Sequence, residues 1–269
     1  MASRVLAGVA GPGNVVLDLD GTLYRASEPI PGAVEAVRAI EEAGWRVVIA
    51  TNNATRHRRE VAEHVRRVAG LEVAKERVVT AADAAVRALT TDDAPVFVVG
   101  QSGLRLTLEE AGIELTEVPD EARSVVIGLD RAFDYDRLAA ASRAVFGGAR
   151  LVATNGDTTF PGPSGLEPGA GALVAAVAAV TAVTPTVAGK PNEPMREAVA
   201  SVLGPGPTVV VGDRLDTDIA FGATAGWPTI LVLTGVTDES SLADASPMPD
   251  LVIASLADLP TALGVDPQA

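Results

Sequence analysis

The chain has 269 residues, 48% of them hydrophobic, and a formal net charge of −14 at pH 7. This length suits one large α/β domain or two unequal domains. The negative charge argues against nucleic acid as a partner, since a phosphate backbone would be repelled. No apolar run approaches the roughly 20 residues of a membrane span, and the first residues lack a signal-peptide pattern. We therefore expect a cytoplasmic protein with no membrane partner.

The chain contains no cysteine, and its two histidines are His57 and His64. Disulfides, thiol nucleophiles and cysteine-based zinc sites are therefore excluded. Two histidines are too few for a histidine-rich metal site, and they give little support to a histidine-centred catalytic triad. We expect both histidines on one partly exposed face of a helix over 55–69, with no ligand role.

Short Val/Ile runs alternate with helical stretches along the chain, which predicts βαβ units and a Rossmann-like parallel sheet. The predicted strands are 15–20, 45–50, 95–99, 124–128, 150–153, 208–212, 229–233 and 251–253. The predicted helices are 32–43, 55–69, 81–90, 102–111, 134–146, 169–182 and 192–203.

Polar residues follow several of these strands. VVLDLD ends at Asp18 and Asp20, VVIATNN carries Thr51, and TVVVGD ends at Asp213. Ligands of open parallel sheets bind beyond the carboxyl ends of the strands, so these side chains are expected to converge. Lys190 lies in the glycine- and proline-containing loop AGKPNEP and is a further candidate.

Asp18 and Asp20 alternate with Leu19, so a strand would direct both carboxylates to one side. Two close carboxylates repel unless a cation lies between them, and Mg²⁺ prefers oxygen ligands. The alternative is a pair of solvated aspartates beside a glycine turn. The whole motif, DLDGT directly after an apolar strand, is a more specific signal of a cation site than two aspartates beside a glycine would be.

In these motifs the sequence resembles the haloacid dehalogenase (HAD) superfamily of hydrolases. DLDGT matches the first motif of that superfamily, Thr51 in ATNN the second, Lys190 in GKP the third, and GDRLDTD from Asp213 the fourth. The four motifs occur in the family's order across residues 15–218.

The resemblance implies roles for the acidic residues. Asp18 would be the nucleophile that forms an aspartyl-phosphate, and Asp20 the general acid/base. The Asp20 backbone carbonyl and the side chains of Asp18 and Asp213 would hold Mg²⁺. Asp218 would order the waters around the metal.

The resemblance also implies the phosphate contacts. Thr51 and nearby backbone amides, including that of Asn52, would bind one phosphate oxygen, and Lys190 would bind another. The chain has only two lysines, Lys75 and Lys190. One of these two lies in the third motif.

The motif spacing predicts an inserted cap domain. Asp18 and Thr51 are 33 residues apart, whereas Thr51 and Lys190 are 139 apart. A helix and a strand need perhaps 30–40 residues, so about 100 remain, enough for a domain. We expect a discontinuous core at 1–81 and 184–269 and an α/β cap at 82–183.

This cap position resembles HAD subfamily IIA, the p-nitrophenylphosphatase branch, and the sequence leans toward the actinobacterial glycerol-3-phosphate phosphatases. The resemblance implies Mg²⁺-dependent hydrolysis of a small phosphomonoester such as glycerol 3-phosphate, phosphoglycolate or p-nitrophenyl phosphate. Asn155, Asp157 and Arg131 are candidate substrate contacts. ATNGD departs from the family at Gly156, where proline is more usual.

Two alternatives remain at this point. The chain could be a receiver-like domain that is only phosphorylated, although such a domain needs about 120 residues and no insertion. It could also be another HAD enzyme, such as a nucleotide or pyridoxal phosphate phosphatase. A homodimer through the cap is a further expectation.

Overall fold

The computed structural model describes residues 5–265, except 26–27 and 163–164. Cα packing separates two compact units. The first unit comprises Met1–Ala50, Ala62–Val78 and Val199–Ala269, and the second unit comprises Thr51–Val61 and Val79–Ala198. The chain therefore enters the second unit twice and returns to the first unit twice.

The described residues form fifteen strands and nine α-helices. The strands are β1 (Asn14–Leu17), β2 (Tyr24–Arg25), β3 (Glu28–Pro29), β4 (Arg46–Thr51), β5 (Val78–Thr80), β6 (Val96–Val99), β7 (Leu115–Thr116), β8 (Ser124–Ile127), β9 (Arg150–Ala153), β10 (Thr159–Gly162), β11 (Gly165–Pro168), β12 (Thr186–Val187), β13 (Thr208–Gly212), β14 (Thr229–Val232) and β15 (Leu251–Ile253). The helices are α1 (Ala33–Glu42), α2 (Arg58–Ala69), α3 (Ala81–Ala88), α4 (Ser102–Glu110), α5 (Tyr135–Phe146), α6 (Ala170–Thr181), α7 (Glu193–Ala200), α8 (Ala220–Ala225) and α9 (Leu259–Ala262).

The larger sheet has the strand order β15-β14-β13-β1-β4-β5 and carries the first unit. β1 pairs in parallel with β13 and β4, and β14 pairs in parallel with β13 and β15. Leu17 lies opposite Val211 on one side and Ile49 on the other. Every residue of β1 and β13 is buried, as expected for parallel strands covered on both faces. The carboxyl ends of β1 and β13 therefore meet at one edge.

The second unit has its own five-stranded sheet, in the order β12-β9-β8-β6-β7, with parallel pairings throughout. β10 and β11 form a separate antiparallel hairpin. A buried cluster contains Phe97, Val125, Leu151 and Val174, with α5 and α6 contributing to it. Burial of such a cluster supplies the main driving force for folding this unit.

The predicted α/β class with a Rossmann-like parallel sheet and a second α/β unit is confirmed. Seven of the eight predicted strands begin and end within one residue of the prediction, and all seven predicted helices are present. Sequence patterns missed nine short elements, which are the strands β2, β3, β5, β7, β10, β11 and β12 and the helices α8 and α9. Elements this short carry too little periodicity to be found.

The strand predicted over 15–20 ends three residues too late. β1 ends at Leu17, although the Asp18 amide still donates to the Val211 carbonyl over 3.0 Å. The chain then turns, because the Leu19 carbonyl accepts hydrogen bonds from the amides of Thr22, Leu23 and Tyr24. Asp18 therefore lies directly after the strand, and Asp20 lies within the turn that follows.

Two predicted helix ends also differ. α2 begins at Arg58 and not at residue 55, so His57 precedes the helix and the two histidines do not share a helical face. α7 ends at Ala200 and not at residue 203, because the chain closes a turn in which the Val202 amide donates to the Val199 carbonyl.

The predicted core and cap boundaries at 81/82 and 183/184 stay a prediction, since the compact units reflect packing and not function. β12, at Thr186–Val187, pairs with β9 of the second unit and lies beyond residue 183. In the part of the chain that the structure describes, no helix is both long and apolar enough to span a membrane.

Candidate active site

Three aspartates of the first unit form an acid cluster, comprising Asp18, Asp213 and Asp218. Asp18 follows β1 directly and Asp213 follows β13, the neighbouring strand. Asp218 lies in a π-helical turn, Leu215–Ile219. One carboxylate oxygen from each residue lies within 4.8 Å of the other two. Asp18 is partly exposed, while Asp213 and Asp218 are about 1% exposed.

Backbone amides hold two of these carboxylates in place. The Val236 amide donates to Asp213 Oδ2 over 2.6 Å, and the Thr237 amide donates to the Asp213 carbonyl over 3.2 Å. The Arg214 amide donates to Asp218 Oδ2 over 3.1 Å. These amides therefore fix the orientation of the Asp213 and Asp218 carboxylates.

Three glycines surround the acid cluster so closely that a side chain would not fit. A Cβ added to Gly235 would lie 1.8 Å from Asp213 Oδ2, and one added to Gly212 would lie 2.2 Å from Asp218 Cγ. A Cβ on Gly21, whose φ is +85°, would lie 2.7 Å from Asp213 Oδ2. The carboxylates are thus packed directly against main chain.

The donor set of the acid cluster fits a hard divalent cation. Three carboxylates within 4.8 Å of one another repel strongly without a positive charge between them. Mg²⁺ takes oxygen ligands and is often bound through one or two carboxylates together with waters. The structure thus groups Asp218 with Asp18 and Asp213, where the sequence predicted an outer role for Asp218.

Asp20 lies outside this cluster of carboxylates. Its side chain is exposed, and its backbone pairs with Tyr24 in an isolated β-bridge. A residue far along the sequence stabilises the turn after Asp20, since Thr234 Oγ1 donates to the Gly21 carbonyl over 2.7 Å.

Asp216, which lies inside the fourth motif, points away from the acid cluster. It forms two contacts with the Arg214 guanidinium, at 3.1 and 2.8 Å, and its side chain is 66% exposed. Burial raises the pKa of the Asp216 carboxyl, but the Arg214 hydrogen bonds outweigh it and hold the pKa below its ordinary value. Asp216 is therefore an ion-paired surface residue.

The remaining predicted core-motif residues, Thr51, Asn52 and Lys190, lie in the second unit. Thr51 ends β4, is 4% exposed, and accepts the Asn53 amide on its Oγ1 over 3.1 Å. Lys190 is 4% exposed. Asn52 Oδ1 accepts the Lys190 amide over 2.8 Å. Thus the second and third motifs are joined by a direct hydrogen bond.

Two of the three candidate substrate residues, Asn155 and Asp157, form hydrogen bonds with Asn52. Asn155 Nδ2 donates to the Asn52 carbonyl over 2.7 Å, and Asn155 Oδ1 accepts the Asp157 amide over 3.1 Å. Asn52 Nδ2 in turn lies 3.2 Å from Asp157 Oδ2. We call Asn52, Asn155, Asp157 and Lys190 the amide cluster.

Arg131 lies elsewhere in the second unit. Its guanidinium contacts Glu167 over 2.9 Å and lies 5.4 Å from the centre of the Phe160 ring. Both partners belong to the β10–β11 hairpin. The structure therefore joins Arg131 to this hairpin, and a substrate contact for Arg131 stays a prediction.

His57 has a structural position that the sequence did not indicate. It is 3% exposed, and its Nε2 lies 3.0 Å from Glu110 at the end of α4. The Arg59 amide approaches its Nδ1 to 3.4 Å, and the His57 amide donates to Glu60 over 2.9 Å. Desolvation raises the pKa of Glu110, but His57, Arg58 and Arg59 lower it by more, so it lies below its ordinary value.

Comparison with known proteins identifies the family. Residues 15–114 match the haloacid dehalogenase-like hydrolase family, and residues 187–259 match the HAD-hydrolase-like family. The 5'-nucleotidase YutF of Bacillus subtilis is 37% identical over 245 residues, which cover 90% of this chain and 94% of that protein. The chain belongs to the haloacid dehalogenase-like hydrolases.

Solved structures of haloacid dehalogenase-like hydrolases share the whole fold. A p-nitrophenyl phosphatase from Archaeoglobus fulgidus has a TM-score of 0.86 and 35% identity, covering 93% of this chain and 98% of that chain. A glycerol phosphate phosphatase from Mycobacterium tuberculosis, in complex with magnesium, has a TM-score of 0.84 and 36% identity, covering 91% of this chain and 75% of that chain. The resemblance seen in the sequence is confirmed.

Sequence reasoning found the acids of this haloacid dehalogenase-like hydrolase but missed the main chain that positions them. Gly212, Gly235 and the Val236 amide were not singled out. The available signal was the position of glycines beside the motifs, in VVGD and in LTGV. A glycine next to a catalytic motif often marks close approach of main chain to another group.

Proposed function

We propose that this phosphoric monoester hydrolase is a Mg²⁺-dependent phosphatase of small phosphorylated metabolites that acts through an aspartyl-phosphate on Asp18. The acid cluster is the observation that carries the proposal. Its three carboxylate oxygens lie within 4.8 Å of one another, two of them just beyond the ends of the adjacent parallel strands β1 and β13 and the third in the π-helical turn that follows β13, a donor set that suits Mg²⁺.

In the proposed first step, an Asp18 oxygen attacks the phosphorus and the bond from phosphorus to the ester oxygen breaks. The leaving alkoxide takes a proton from the Asp20 carboxyl group. In the second step, Asp20 takes a proton from water as the water attacks the aspartyl-phosphate. Inorganic phosphate leaves and Asp18 is restored, so the protons balance over one turnover.

Asp18, Asp213, Asp218 and the Asp20 carbonyl would hold the cation. When bound, Mg²⁺ would neutralise charge on the transferring phosphoryl oxygens. Asp213 and Asp218 are fixed by the amides of Val236 and Arg214, so this chain positions its carboxylates before any substrate arrives.

Thr51, the Asn52 amide and Lys190 are proposed to bind the phosphate oxygens. Asn155, Asp157 and Arg131 are proposed to contact the leaving group. Glycerol 3-phosphate, phosphoglycolate and p-nitrophenyl phosphate are the first candidate substrates. The relatives include a glycerol phosphate phosphatase and a p-nitrophenyl phosphatase, which supports this choice.

A nucleoside monophosphate is the second candidate substrate, because one relative is a 5'-nucleotidase. Pyridoxal phosphate stays a further alternative. The receiver-like alternative is not retained, since the chain is similar to hydrolases over about nine tenths of its length. A cytoplasmic location stays a prediction.

The test is phosphate release from a panel of some dozens of phosphate monoesters with Mg²⁺, with excess chelator as the control. A single acyl-phosphate donor then separates an enzyme from a phospho-acceptor, because an enzyme releases phosphate over many turnovers. Rapid quenching followed by intact mass measurement should detect one added phosphoryl group. Loss of that mass in Asp18→Asn supports the intermediate, and its persistence would contradict it.

The proposed homodimer has a candidate surface on α5. Tyr135 and Phe146, at opposite ends of the helix, are 80% and 67% exposed, and Ala139 lies between them on the same helical face. Asp136 and Arg143 flank this face on one side. Arg143 Nε lies 3.2 Å from Asp120 of the same chain. An antiparallel α5 of a second copy would add Asp136 of that copy opposite Arg143, so the face is complementary to itself.

This pairing can be tested by charge exchange with measurement of molar mass in solution. Asp136→Arg and Arg143→Asp should each give monomers, whereas an equimolar mixture of the two variants should form heterodimers. The double variant should again form homodimers. A wild-type monomer, or a mixture that stays monomeric, would contradict the pairing.

A further inference from the structure

The side-chain amide of Asn52 is engaged with two other loops of the second unit. Its Oδ1 accepts the Lys190 amide over 2.8 Å, and its Nδ2 lies 3.3 Å from the Lys190 carbonyl. The same Nδ2 lies 3.2 Å from Asp157 Oδ2. One amide group therefore contacts both backbone polar groups of Lys190 and one carboxylate of the 155–157 loop.

The main chain of Asn52 is tied to the same loop. Asn155 Nδ2 donates to the Asn52 carbonyl over 2.7 Å, and Asn155 is only 6% exposed. Gly189 completes the contact, since its amide donates to the Thr154 carbonyl over 2.7 Å. A Cβ on Gly189 would lie 2.6 Å from both Asn52 Oδ1 and the Thr154 carbonyl oxygen.

Only an amide satisfies the Asn52 contacts. Lys190 presents an N–H donor and a C=O acceptor, and Asn52 meets them with one acceptor and one donor. An aspartate at position 52 would keep the acceptor but place an oxygen against the Lys190 carbonyl and the Asp157 carboxylate. Asn52 is half-buried, and an unpaired or repelled polar group that is shielded from water is costly.

From these contacts we infer that Asn52 is a positioning residue, whose side-chain amide fixes Lys190 and couples it to the 155–157 loop. The inference rests on the proposed function, in which Lys190 binds a phosphate oxygen. It assigns the Asn52 side chain to holding Lys190, which leaves the Asn52 backbone amide for the phosphate. A change in the 155–157 loop then alters phosphate binding by way of Asn52.

The principal test is Asn52→Asp with Asn53→Asp as the matched control. Both variants add one negative charge in the same loop. Asn53 accepts from Thr55 on its Oδ1 over 2.8 Å, a contact that aspartate retains. We expect Asn52→Asp to weaken binding of inorganic phosphate about 10- to 100-fold, and Asn53→Asp to change it about threefold or less.

Inorganic phosphate binding is measured by calorimetry on the Mg²⁺-loaded protein, so the readout does not depend on turnover. KM for p-nitrophenyl phosphate should rise in parallel with the phosphate dissociation constant, while the Mg²⁺ dissociation constant stays within about twofold, because the acid cluster keeps its own amide contacts. A purely structural defect would weaken both ligands together. Equal losses of phosphate affinity in Asn52→Asp and Asn53→Asp would overturn the inference.

A second pair of variants tests the link to Asp157. Asp157→Asn supplies a donor to an aspartate at position 52, so it should restore part of the phosphate affinity. The loss caused by Asn52→Asp should be at least about fivefold smaller in the Asp157→Asn background than in the wild type. Additive losses would contradict the coupling.

Gly189→Ala provides an independent route if Asn52→Asp folds poorly. Its Cβ displaces Asn52 without adding charge, so it should also weaken phosphate binding with Mg²⁺ binding preserved. Unchanged phosphate affinity in Gly189→Ala would overturn the inference. If wild-type protein binds phosphate but releases none from any ester, the proposed function fails while these binding measurements still decide the role of Asn52.

Discussion

The Val236 amide lies 2.6 Å from Asp213 Oδ2, and it reaches that position because Gly235 has no side chain. A Cβ at residue 235 would occupy the space of the same carboxylate oxygen, at 1.8 Å. The orientation of the predicted metal ligand thus depends on a residue with no functional group.

Gly235→Ala should therefore displace Asp213 and weaken Mg²⁺ binding. Loss of a partner that orients a metal ligand typically costs about 10- to 100-fold in metal affinity. The measurement is the Mg²⁺ dissociation constant by calorimetry. Gly70→Ala is the control, because Gly70 has a φ of +62° with no atom within 4 Å of an added Cβ. It should lower the melting temperature and leave Mg²⁺ binding unchanged.

Asp18→Asn should abolish turnover while the fold and Mg²⁺-dependent substrate binding are largely retained. A neutral amide has nearly the shape of a carboxylate but is a very poor nucleophile. The steady-state kcat should fall to less than a few per cent of wild type, roughly the scale of losing a covalent step. Asp92→Asn, in an exposed turn, is the control and should be fully active. Substantial activity in Asp18→Asn, after contaminants are excluded, would rule out covalent catalysis.

Activity should require Mg²⁺, and Ca²⁺ should inhibit it. Ca²⁺ takes more ligands at longer distances, so it can engage both oxygens of Asp18 and hinder in-line attack. Initial rates are measured with each ion and with excess chelator. Equal rates with the two ions, or full activity in chelator, would be inconsistent with the proposed mechanism.

Asp20→Asn should slow phosphoryl transfer more for an alkyl ester than for an aryl ester. Glycerol 3-phosphate expels a basic alkoxide that needs a proton, whereas p-nitrophenyl phosphate expels a stable phenolate. General acid catalysis typically contributes about 10²–10⁴-fold, so the gap between the two esters could approach that range.

Single-turnover rates are the appropriate measurement for Asp20→Asn, because hydrolysis of the aspartyl-phosphate also uses Asp20 and is common to both esters. An equal loss in the first step for both esters would show that Asp20 serves mainly to place the metal.

Variants of His57 should lower the melting temperature in steps. The Arg59 amide lies 3.4 Å from His57 Nδ1, and Glu110 Oε2 lies 3.0 Å from His57 Nε2. Asn at position 57 can replace the first contact and Gln the second, whereas Ala replaces neither. Each lost contact should cost about 1 kcal/mol, or roughly 2–4 °C. Glu110→Gln keeps an acceptor and serves as the control, and an unchanged melting temperature in His57→Ala would contradict this role.

The fold and the acids of the site could be predicted because they depend on local patterns. Buried runs such as NVVL and TVVVG identify parallel strands, and Asp18 and Asp213 follow these runs directly. Order and spacing of four motifs then identified the family. The order and spacing of the motifs do not depend on where each strand or helix ends to within one or two residues.

The rest could not be predicted because it depends on contacts between distant segments. The side-chain oxygen and nitrogen of Asn52 contact the amide and carbonyl of Lys190, which lies 138 positions away in the sequence. His57 contacts Glu110, which is 53 positions away. The turn that follows Leu19 ended β1 early, although residues 15–20, VVLDLD, read as one strand. Pattern alone gives no information on such pairings.

Lys75 and Lys190 differ sharply in accessibility, with side-chain exposure of 50% for Lys75 and residue exposure of 4% for Lys190. Since every other basic residue except the two histidines is an arginine, these are the only side-chain amines in the protein. Amine-reactive chemistry, which gives mixed products on most proteins, should modify one lysine here. A fluorophore or crosslinker can thus be attached at Lys75 of the native sequence. The slower rate at which Lys190 is acylated then measures how often the residues around Lys190 open to solvent.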